Sequence, residues 1–114
     1  RMTRYLISFD DGAMTFPPED LPAVAEAAHA VLRDAKATQV WITGGGFHTP
    51  ETIDTVDENG VVTAVPVAAN RSLLGGFCIL ELANLAEAHH WAGRFAKACR
   101  CAQEVRPMMD DPEA

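Results

Sequence analysis

Two loop positions in this chain carry residue types suited to acid/base chemistry. His48 follows a glycine run in Gly46-Phe47-His48-Thr49-Pro50, and a histidine needs only a small shift to titrate near neutral pH. At the end of a strand it faces a cleft or stays an exposed loop residue. Asp10, at the end of the first apolar run, is its candidate partner, because a His–Asp hydrogen bond sets the imidazole tautomer and raises its basicity. His48 and Asp10 are therefore the candidate catalytic pair. His29 lies at or beside the apolar side of a predicted helix, as a general base or as a helix-surface histidine. With Arg71 and Phe47 it makes up the candidate ligand-binding set.

The other reactive side chains point to structure. His89 and His90 are adjacent on a helix, so they diverge and lack the i, i+4 spacing that holds a metal from one face; one is expected near the sheet and the other in solvent. Cys99-x-Cys101 lacks the spacing and the partners of a zinc site. Cys78, inside an apolar strand, reads as a small buried hydrophobe. Gly44-Gly45-Gly46 leads to a loop, with no Lys-Ser/Thr after it, so it is neither a phosphate loop nor a dinucleotide fingerprint. No metal and no cofactor is expected.

The elements that must position these residues follow from periodicity. Tyr5 to Phe9 is short, apolar and β-prone. Pro17-Pro18-Glu19-Asp20 suits a helix start. From Leu21 to Ala37, Leu21, Val24, Ala28, Val31, Leu32 and Ala35 fall on one side at helical spacing. Val40 to Thr43 is a second strand, stopped by the glycines. Thr52 to Val56 and Val61 to Val65 flank Asn59-Gly60, a strong hairpin signal. Leu73 to Leu82 is the most apolar stretch, with Gly75-Gly76 marking a bulge or a close backbone approach. A second helix starts at Asn84 and runs to about Arg100, and Cys101 to Arg106 is a last strand.

The order is β-α-β, hairpin, β-α-β. This predicts an α+β domain of ferredoxin-like, split βαβ type, with a hairpin inserted and both helices on one face of an antiparallel sheet. Residues 2–107 form one domain, and 108–114 an acidic tail expected to fray. Trp41, Phe77 and Ile79 are expected on the other face, which suggests a face-to-face homodimer.

Composition narrows the partners. The chain has 114 residues and a net charge of -7, which disfavours a nucleic-acid partner. No apolar run reaches the ~18 residues of a membrane helix, so no membrane partner is expected. Three cysteines without paired spacing fit a reducing cytoplasm.

Taken together, Tyr5-Leu6-Ile7, the Ala-rich helix, Gly44-Gly45-Gly46, the hairpin, Leu74-Gly75-Gly76-Phe77, Glu87-Ala88-x-x-Trp91-Ala92 and Glu104-Val105-Arg106-Pro107 resemble the YCII-related, or DGPF-domain, family of small bacterial proteins. The resemblance covers nearly the whole chain. It implies a dimeric α+β barrel and no defined reaction. Some members of that family have been proposed as enzymes on the strength of a buried His–Asp pair, and many are encoded beside alternative sigma factors. The namesake Asp-Gly-Pro-Phe falls at Ala64-Val65-Pro66-Val67, where only the proline is kept. Acids of the family pattern are replaced at Ala64, Ala69 and Ser72, while a basic residue is kept as Arg71.

Two function classes follow. One is a dimeric small-ligand-binding or regulatory interaction module, which the missing acids favour. The other is a small-molecule enzyme using the His48–Asp10 pair in a cleft between helices and sheet.

Overall fold

The computed structural model describes residues 1–68 and 71–114. Strands β1 (Thr3–Asp10), β2 (Trp41–Gly46), β5 (Leu74–Leu82) and β6 (Glu104–Pro107) form an antiparallel sheet in the order β2-β5-β1-β6. Helices α1 (Leu21–Ala37) and α2 (Leu85–Cys99) pack against it and each other, while β3 (Thr52–Val56) and β4 (Val62–Pro66) pair only with one another. The fold is mixed α+β.

The chain lays its apolar residues on one side of the sheet by alternation. Tyr5 and Ile7 on β1 stand opposite Leu80 and Cys78 on β5. All four belong to the core, with Val31 and Ala35 of α1 and Ala88, Trp91, Ala92 and Phe95 of α2. Ile7, Leu80 and Leu82 are the largest side chains removed almost completely from solvent; each such burial contributes about 1.5–3 kcal/mol. Trp91 also receives the Arg94 guanidinium 4.9 Å above its ring, and Arg94 forms an ion pair with Asp34 that ties α2 to α1.

Local chemistry sets the helix ends. Asn84 is extended and its side chain accepts the Glu87 N–H at 2.9 Å, while Glu87 Oε2 accepts the Ala83 N–H at 3.1 Å. This is a reciprocal cap shifted one residue outward from the usual box. Arg100 ends the helix in a left-handed conformation, φ 56°.

Four expectations are corrected. The sheet does not close into a barrel: β2 and β6 are open edges, and the hairpin forms a separate two-stranded sheet. Closure requires strands that bridge the edges with a continuous stagger. Here the chain leaves the sheet after Gly46, and β6 ends on Pro107, which has no N–H to donate. Gly44-Gly45-Gly46 does not stop β2 but lies within it, opposite Cys78, Phe77 and Gly76. Trp41 stands opposite Leu80 and packs on the core side, not on the outer face. His89 and His90 are both exposed.

The hairpin turn is longer than two residues. Asp57 Oδ1 accepts the N–H groups of Asn59 and Val61, each at 2.9 Å. Gly60 alone takes a positive φ there, 81°. No helix among the described residues is long and apolar enough to cross a membrane.

Candidate functional site: an apolar cleft under the first helix

The apolar face of α1 divides between two tasks. Val31 and Ala35 join the core. Leu21, the buried Val24, Ala28 and Leu32 line a cleft of about 340 Å³ between α1 and the sheet. Leu21 is 55% exposed, a large apolar side chain held at the mouth.

The sheet supplies the opposite wall through Ile7, Phe9, Trp41, Gly45, Gly46 and Phe77. Glycine shapes this wall. A Cβ on Gly76 would lie 2.6 Å from Phe9 Cζ, and one on Gly75 2.9 Å from Phe9 Cε2. The register slips at this point, where Phe9 pairs with Gly76 and Asp10 with Leu74. The Phe9 ring therefore lies directly on glycine backbone, in the space two side chains would have taken. Gly44 brings β2 equally close to β5, since its Cβ would meet Phe77 O at 2.5 Å.

Chemically the cleft is apolar. Among its lining side chains only His29, Trp41 and Gln103 carry a hydrogen-bonding nitrogen or oxygen, and no lysine, arginine, aspartate or glutamate lines it. Cys78 and Cys99 also face it. Burial, helped by Cys99, pushes the Cys78 thiol up to about 12. Burial raises Cys99 too, with Cys101 adding to it. Cys101 is raised by burial, and a hydrogen bond from the Gln103 amide partly offsets this.

The thiolate is the nucleophile, so at pH 8 a thiol of pKa about 12 is ionised in only roughly one molecule in ten thousand. Brief alkylation of the native protein with iodoacetamide at pH 8, read by peptide mass spectrometry, is expected to modify Cys101 first and Cys78 last. Equal labelling of all three would contradict the burial of Cys78.

The residues expected to carry function are split between places. His29 is exposed at the cleft and lines it. Asp10 and Arg71 instead line a separate hollow of about 600 Å³ with Asp11, Thr49, Glu51 and Ser72. There Thr49 Oγ1 donates to Asp11 Oδ1 at 3.0 Å. Ala69, one of the replaced acids, lies outside the described residues. Phe47 stacks on Phe77, centroids 5.7 Å apart. His48 is exposed and lines neither space. Among the described residues no hydrogen bond or ion pair joins His48 to Asp10, and no group of three or more His, Cys, Asp or Glu could hold a metal.

Sequence reasoning missed Trp41, Phe9 and Gln103 as cleft residues. The available sign was the surplus on α1, whose apolar side is longer than the core needs.

The sequence matches the YCII-related domain family over residues 3–110, nearly the whole chain, and the protein belongs to that family. No curated protein matches it.

Proposed function

We propose that this YCII-related protein is a homodimeric binding module that takes a small, neutral, mainly apolar molecule into the cleft beneath α1. The observation that carries this reading is the lining: a space of about 340 Å³ walled by aliphatic and aromatic side chains, with His29, Trp41 and Gln103 as its polar groups. Ligand sites are typically apolar hollows of roughly 300–1,000 Å³ with a few placed polar groups that orient the guest. An anionic guest would lose its hydration with no lysine or arginine in the lining to receive it, a cost that favours neutral molecules. An acid/base role for His48 and Asp10 would require the substrate to sit outside this cleft. The homodimer is supported by the apolar Leu6 and Ile79 on the outer side of the sheet, which alternate with core residues on β1 and β5.

A thermal-shift comparison tests the ligand class. Indole and 1-octanol are expected to raise the melting temperature, and octanoate to do so much less. A ligand at 100 times its dissociation constant adds about 2.7 kcal/mol of stability. Stabilisation by octanoate alone, or by none of the three, would contradict the reading.

A further inference from the structure

The three side chains that bring a hydrogen-bonding nitrogen or oxygen to the cleft are not equivalent. The Trp41 indole N–H can only donate. His29 is exposed on α1, so its imidazole keeps its water whichever guest is bound. Gln103 is half-buried, and the chain on either side fixes where it stands. Arg100 reverses the chain at the end of α2 with a φ of 56°, and the Cys101 N–H closes that turn on Ala96 O at 3.2 Å. Strand β6 then pairs Glu104 with Ser8 and Val105 with Ile7. Val105 packs against the core, and side chains two residues apart on an extended chain share a face. Gln103 therefore stands on the helix side of the sheet, where it lines the cleft.

Its neighbours set the orientation of its amide. Gln103 Nε2 donates to Cys101 O at 3.4 Å and to Cys101 Sγ at 3.6 Å. A carbonyl oxygen only accepts, so the nitrogen lies on that side and Oε1 on the other. Among the described residues Oε1 accepts no hydrogen bond, and no side-chain nitrogen or oxygen is buried without a partner. Oε1 is therefore an open acceptor at an otherwise apolar wall. A guest that covers it without donating strips its hydration and gives nothing back.

We propose that the guest of the cleft carries a hydrogen-bond donor, an N–H or O–H on a neutral apolar body, and that Gln103 Oε1 selects it by accepting that bond. This rests on the binding cleft proposed above and adds the class of its guest: alcohols, phenols and N–H heterocycles, against ethers and hydrocarbons of the same shape. Gln103 is the specificity-determining residue.

Isothermal titration with a matched pair tests it. Indole and 1-benzofuran share a shape and differ in an N–H against a ring oxygen. The wild type is expected to bind indole at least about tenfold more tightly, because benzofuran leaves Oε1 unpaired. Without that bond benzofuran, the less hydrated of the two, would bind at least as well. Gln103→Met keeps the length of the side chain and removes the acceptor; it is expected to abolish the preference by weakening indole and not benzofuran. Should that variant not fold, the Gln103 side-chain amide of the ¹⁵N-labelled wild type is expected to shift on adding indole, and an unmoved amide would overturn its role. Equal binding of the pair by the wild type would overturn the donor requirement and leave the cleft standing. Binding of neither would remove the cleft and the donor requirement together. A preference for indole that survives Gln103→Met would overturn Gln103 as the acceptor.

Discussion

Gly44→Ala is expected to destabilise the protein by about 2–3 kcal/mol, the upper range for forcing an extra carbon into packed structure. The added Cβ would lie 2.5 Å from Phe77 O and 2.8 Å from Cys78 Cα. Both are backbone atoms of β5, so no side-chain rotation relieves the clash. Either β2 separates from β5 or the centre of the sheet bends. For a chain of this size the melting temperature should fall by roughly 10 °C. Gly45→Ala is the control, because nothing lies within 4 Å of its Cβ position; it should be nearly silent. Chemical or thermal denaturation of the pair decides the matter, and similar stabilities would mean that β2 does not approach β5 as described.

The second large effect concerns the cleft. Ala28→Trp places an indole on the wall of a space of about 340 Å³, where there is room for it without displacing the core. Ala28 is half-buried and lies outside the core cluster. Affinity for indole should fall at least about 100-fold, because the guest must now compete with a covalently attached ring. The melting temperature of the free protein should hold or rise, since a filled apolar hollow removes the cost of unsatisfied packing. Isothermal titration with indole separates the outcomes. Unchanged affinity in a folded A28W protein would place the ligand elsewhere.

How much of this was legible in the chain differs from element to element. The first helix could be placed at Leu21–Ala37 because prolines and acids precede it and its apolar residues repeat at helical spacing. Thr52–Val56 alternates plainly and stands as read. The extension of β2 through Gly44-Gly45-Gly46 could not be read, since glycine offers no side chain whose pattern betrays a strand. Its reason lies in β5, whose backbone comes too near for a Cβ. Barrel closure likewise depends on strand edges and not on periodicity. The path of the chain after Gly46 separates the hairpin from the sheet.

The site was half legible for a related reason. His29 was found because a histidine beside an apolar helix face is conspicuous. Trp41 and Phe9 looked like ordinary strand residues, and only the gap between α1 and the sheet turns them into walls. Asp10 and His48 drew attention through their chemistry, yet a strand-end residue and a loop residue so far apart in sequence meet only if the tertiary path brings them together. The acids missing at Ala64 and Ser72 remain the plainest departure from the family pattern. Ser72 borders the polar hollow at the base of the hairpin, and Ala64 stands in mid-hairpin opposite Asp54; neither lines the cleft.

The central claim, that the cleft under α1 is a binding site, is tested most directly by titrating the ¹⁵N-labelled protein with indole and following backbone amide shifts. The account predicts saturable shifts gathered at Ala28, His29, Gly45, Gly46 and Cys78, with Thr49, Glu51 and Ser72 undisturbed. Absent shifts, or shifts centred on Asp10, Thr49 and Ser72, would contradict it.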